Sequence, residues 1–108
     1  LNNFAFAALI DEQPVAAGGI IQIWEGRGFS WFTSVSFNRR YWPSITDAVR
    51  TAVDIALEHG YYRRVEMTVY ASQLSAQSWA KRLGFTLEAR YLKLMIDGSD
   101  GLLYSRVI

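Results

Sequence analysis

A chain of 108 residues with 11 basic and 10 acidic side chains, a net charge of +1 and no cysteine has the size of one domain and excludes disulfides, thiolate metal sites and a cysteine nucleophile. Its single histidine, His59, excludes a histidine-rich metal site, and the near balance of charge argues against a dedicated nucleic-acid binder. Hydrophobic residues at 51% and aromatics at 15% give a globular composition, with no apolar run approaching the ~18 residues of a membrane span and no signal peptide; the expectation is one cytoplasmic domain over residues 1–108.

Taken in order, FAFAALI (4–10) and VAAGGIIQIW (15–24) are two apolar runs separated by DEQP, which predicts a β-hairpin. Gly18-Gly19 inside the second run predicts a bulge or a close backbone approach. After the turn EGRG (25–28), FSWFTSVSF (29–37) is aromatic and β-branched, the composition of a third strand. The period then changes. SITDAVRTAVDIALEHG places Ile45, Ala48, Val49, Ala52, Val53, Ala56 and Leu57 on one face at spacings of three and four, with Asp47, Arg50, Asp54 and Glu58 opposite, an amphipathic helix. Ser44 and Asp47 fit a capping box at its start, and Gly60 fits a left-handed stop.

YYRRVEMTVY (61–70) alternates as a strand, with Val65, Met67 and Val69 on one face and Glu66 and Thr68 on the other. QLSAQSWAKRLGF (73–85) predicts a short helix, with Ala76, Trp79, Ala80 and Leu83 inward and Gly84 as its stop. TLEARYLKLMI (86–96) and LLYSRVI (102–108) form a hairpin across DGSDG. The order β-β-β-α-β-α-β-β makes an α/β (α+β) domain around one mostly antiparallel sheet. The last strand ends with the chain and offers an edge to a second copy, a homo-oligomer.

This order, with the run from Ala76 to Leu83-Gly84-Phe85 one strand after a helix ending in Gly60, resembles the GNAT superfamily of acetyl-CoA-dependent N-acetyltransferases. The resemblance covers almost the whole chain and begins at the family's second strand, so it implies that the family's first strand and first two helices lie upstream of Leu1. It further implies a site. The third strand splays from its parallel neighbour and admits acetyl-CoA, with Val35, Ser36 and Phe37 as backbone ligands. The following loop and helix N-terminus hold the diphosphate, an anion favoured by free N–H groups and the helix dipole; here that loop is NRRYWPSI, giving Arg39, Arg40, Ser44 and Ile45. Gln73 stands where the family has asparagine. Ala80 stands where it has the tyrosine that reprotonates the thiolate.

That loop departs from the family pattern, with no glycine between Gly28 and Gly60 and with Trp42 and Pro43 in its place. The acid and base are therefore open. Tyr70, Tyr91 and Tyr104 are substitutes for the acid, against a simple role as sheet aromatics. Glu66 and Glu25 are candidate bases, against a role as surface carboxylates. His59 at a helix C-terminus reads as a cap. Trp31 and Trp79 read as core, Trp24 and Trp42 as nearer the surface. The implied partners are a CoA thioester and an amine acceptor, with no nucleic acid, membrane or metal. The run SWFTSVSF through RLGF also resembles GNAT-like internal virion or head-assembly proteins of short-tailed phages, which implies a non-catalytic, virion-associated alternative.

Overall fold

The structure, a computed structural model, describes residues 3–108; Leu1 and Asn2, the first two positions of the expected 1–108 domain, lie outside the described residues. β1 (Phe4–Ile10) and β2 (Gln13–Trp24) pair antiparallel. Asp11 and Glu12 between them both take positive φ, 50° and 67°, the mirror-image two-residue turn whose twist suits a hairpin. β3 (Gly26–Ser34) returns directly after Glu25, with Trp24 already opposite Arg27. The expected turn over 25–28 is thus a tighter one, and its glycines belong to the sheet.

After a single turn of 3₁₀-helix (Arg39–Tyr41) come α1 (Trp42–Glu58), β4 (Tyr62–Tyr70), α2 (Leu74–Arg82), β5 (Thr86–Tyr91) and β6 (Gly101–Val107). The sheet order is β1-β2-β3-β4-β6-β5, in which β3 and β4 are the parallel pair and every other pairing is antiparallel. The β3-α1-β4 crossover makes that pair parallel, since strands joined through a helix run the same way. Gly18-Gly19 is a close approach: a Cβ on Gly19 would stand 2.3 Å from the Phe4 carbonyl oxygen.

Both helices cover one face of the sheet, where Ile20, Val49, Val53, Leu57, Val65 and Tyr104 form the centre of the core. Trp79 Nε1 donates to Thr46 Oγ1 across 2.8 Å and Arg106 pairs with Asp54 at 2.6 Å, tying α2 and β6 to α1. The opposite face exposes Ile21, Trp24 and Trp31. Successive strand residues point to opposite faces; Phe32 packs under the helices, so Trp31 points away from the core expected for it.

Three other expectations are corrected. β3 stops at Ser34, leaving 35–38 as loop. α1 starts at Trp42 with Pro43 in its first turn, and Ser44 lies inside the helix without capping it; the side-chain cap is Asn38, whose Oδ1 accepts from Arg40 N at 3.0 Å. Finally, β6 lies between β4 and β5, so the last strand has no free edge for a second copy.

Candidate functional site

The register of the parallel pair locates the site. β3 and β4 match from Gly26 opposite Tyr62 to Phe29 opposite Glu66, and there the ladder ends. β3 continues for five residues beyond Phe29 and β4 for four beyond Glu66, so the strands diverge as a wedge. Ser30 marks its apex: its Oγ donates to the Glu66 carbonyl oxygen, 2.9 Å away, satisfying the first backbone group that loses a ladder partner.

A cavity of about 360 Å³ occupies the wedge, a volume suited to a small ligand. It is lined by Phe32, Met67, Val69 and Trp79 from the helix side, and by Phe29, Trp31, Thr68 and Tyr70 from the other. The gap therefore passes through the sheet. On the helix side an aromatic cluster stands at one end. Phe32 and Trp79 have centroids 4.6 Å apart, Trp42 meets Trp79 edge-on at 5.7 Å, and Phe37 packs on Trp42 at 4.9 Å. Trp42 is half-buried here, and Trp79 is half-buried and lines the cavity.

Of the candidate site residues singled out from the sequence, two line the cavity, and Ser44 and Ile45 line a separate depression against β1. Tyr70 and Gln73 line the cavity, Gln73 as the N-terminal flank of α2. Val35, Ser36 and Phe37 follow the end of β3, with Val35 N donating to Val15 O. Arg39 and Arg40 form the 3₁₀ turn, Arg40 donating to the Tyr41 hydroxyl at 2.8 Å. Ser44 is exposed and Ile45 is buried in the core. Away from the cavity, Glu25 is exposed in its turn and His59 flanks the C-terminal end of α1, Nδ1 lying 3.1 Å from Ile55 O. Tyr91 is exposed and Tyr104 fully buried. Ala80 is fully buried.

Glu66 sits beside the apex on the face away from the helices. Its carboxylate is 3% exposed as a residue and is held by Arg27 (Nε to Oε2, 2.6 Å; Nη2 to Oε1, 2.8 Å) and by Arg64 Nε at 2.6 Å. Arg64 continues to Glu88, which also accepts from Ser105 Oγ. The Arg27 guanidinium, then that of Arg64, holds the Glu66 carboxyl below its ordinary range, and Arg64 with Ser105 brings Glu88 down to about 2. A carboxylate so stabilised is a poor proton acceptor near neutral pH. Only the strand register brings these five residues together; Arg27 and Arg64 carry no local motif.

The wedge fits an extended, amide-bearing arm, because unpaired strand backbone offers it a partner on either side. The helix entry fits a diphosphate through side chains. Pro43 has no N–H, and the Trp42 N–H is taken by the Arg39 carbonyl, so the charged donors there are Arg39 and Arg40.

The pattern of the acetyltransferase (GNAT) family matches residues 1–85. The chain belongs to that family. No curated protein matches it. Among solved structures, the GNAT chain is similar to the microcin C7 self-immunity acetyltransferase MccE in complex with acetyl-CoA and AMP (20% identity, TM-score 0.83, covering 98% of this chain and 61% of that one). It is also similar to RimL, the ribosomal L7/L12 alpha-N-protein acetyltransferase, in complex with coenzyme A (15%, 0.82, 96% and 61%). A third is the ribosomal-protein-S5-alanine acetyltransferase from Vibrio fischeri (16%, 0.79, 97% and 61%). At these identities the likeness establishes the fold, and the GNAT chain spans about three fifths of the length of each.

Proposed function

We propose that this GNAT domain binds an acyl-CoA thioester in the wedge between β3 and β4 and transfers its acyl group to an amine. The observation that carries the reading is the end of the β3–β4 ladder at Phe29 and Glu66, with a through-sheet cavity beyond it. The thioester supplies the activated carbonyl: a C–N bond to the amine forms as the C–S bond breaks, and the proton released by the amine balances the departing thiolate. In this chain, the backbone of 30–34 and 67–70 orients the arm, Val35, Ser36, Phe37 and Gln73 stand along its path, and Arg39 and Arg40 meet the phosphates beside Ser44 and Ile45.

Tyr70 is the hydroxyl best placed to donate a proton, since it lines the cavity while Tyr104 is sealed in the core and Tyr91 lies on the far edge strand. Ala80 supplies no acid, and Glu66, doubly bound by arginine, serves better as a fixed anion than as a base. The reaction then favours acceptors that are already deprotonated. The same two features favour a second reading, a GNAT-fold module that binds the thioester without turning it over.

Titration with acetyl-CoA, followed by unfolding free energy, tests the proposal. At 100 times the dissociation constant the fold should gain about 2.7 kcal/mol. Arg39→Ala should weaken CoA binding about tenfold and leave acetyl-pantetheine, which has no phosphates, unchanged. Absence of stabilisation at millimolar acetyl-CoA would overturn the proposal; binding without acetylation of any amine would select the second reading.

A further inference from the structure

The cavity has two chemically different ends. At the wedge, Ser30, Thr68, Tyr70 and Gln73 bring hydroxyl groups and an amide to its wall. Toward β1 the wall is hydrocarbon, made of Phe4, Phe6, Ile20, Val49, Ala52 and Val53. Since β1 stands two strands from β3, the near side of the wedge, this apolar arm runs sideways beneath α1 for about 10 Å at ordinary strand spacing. A diphosphate or a pantetheine amide has no polar partner among those six side chains. An acetyl methyl group would fill little of the space, and protein interiors keep few voids larger than a water molecule. A hydrocarbon-lined arm continuous with a slot for a thioester is shaped for the part of an acyl-CoA that is itself hydrocarbon.

We propose, resting on the acyl-CoA reading above, that the preferred donor carries a straight aliphatic acyl chain longer than acetyl, its tail lying between α1 and strands β1 to β3. The wedge then holds the polar arm and the side cavity selects chain length. Discrimination of this kind follows from burial, because each methylene removed from water contributes about a fourfold gain in affinity.

Calorimetry of the chain with CoA, acetyl-CoA and hexanoyl-CoA tests this without reference to turnover. Hexanoyl-CoA should bind at least about tenfold more tightly than acetyl-CoA, and Ala52→Phe, which fills the arm, should abolish that difference while leaving acetyl-CoA binding in place. Equal affinities for acetyl- and hexanoyl-CoA would overturn the chain-length inference and leave the acyl-CoA reading standing. A hexanoyl preference that survives in a folded Ala52→Phe would also overturn it, because the tail would then bind elsewhere. Failure of all three compounds to bind would overturn the acyl-CoA reading, and this inference with it. Should Ala52→Phe not fold, the comparison on the natural chain decides alone.

Discussion

Glu66 is the most constrained charged residue beside the wedge. Three hydrogen bonds from Arg27 and Arg64 fix it, and through Arg64 the network reaches Glu88 and Ser105. Both carboxyl groups have folded-state affinities for protons below the ordinary value near 4.5. A depressed carboxyl contributes stability that is complete above its unfolded value and is lost as pH falls through the folded one. Stability should therefore be level down to about pH 5 and decline between about 4.5 and 2, the interval set by Glu88. Acid titration followed by circular dichroism checks this, and Glu66→Gln should make the decline shallower. At neutral pH Glu66→Gln should cost about 2 kcal/mol, less than breaking a fully buried pair because both arginines are partly exposed; urea unfolding measures it. At this scale the sequence showed Ala80 and Gln73 by their offset from Leu83-Gly84-Phe85. It could not show the Arg27–Glu66–Arg64 cluster, whose members meet only once β3 and β4 are in register.

Helix ends were more legible than helix starts. α1 and α2 close in the same way. After α1, Gly60 N donates to Leu57 O and Tyr61 N to Ala56 O; after α2, Gly84 N donates to Lys81 O and Phe85 N to Ala80 O. These are the paired bonds of a Schellman cap, which needs a left-handed residue at its centre, and Gly60 and Gly84 take φ of +74° and +91°. Gly84→Val should destabilise by about 2 kcal/mol or more, because a β-branched residue resists that conformation; a change within about 0.5 kcal/mol in denaturant unfolding would remove the cap assignment. Helix starts depend on longer context. Ser44 and Asp47 have the spacing of a capping box, yet Asn38 caps the preceding 3₁₀ turn and Pro43, which has no N–H to satisfy, opens α1. β3 ends before Val35 and β5 at Tyr91 although apolar residues continue past both. Composition marks a strand, whereas its end is set by where partners stop, as β5 stops at Tyr91 opposite Gly101, the first residue of β6.

For the whole molecule, the eight-element order and the mostly antiparallel sheet followed from periodicity and turn residues, and the β3-α1-β4 crossover from a helix standing between two strands. Strand order did not follow. β6 lies inside the sheet, an arrangement that the local pattern of LLYSRVI does not distinguish from an edge. The wedge is a property of this level alone, since it exists only because two parallel neighbours share four residues of register and then part. Amide chemical shifts recorded by nuclear magnetic resonance during titration with acetyl-CoA test it most directly. Saturable shifts are expected to centre on residues 30–34 of β3 and 67–70 of β4, with the paired stretch 26–28 much less affected. Saturable shifts confined to other surfaces, with the wedge amides unmoved, would contradict it.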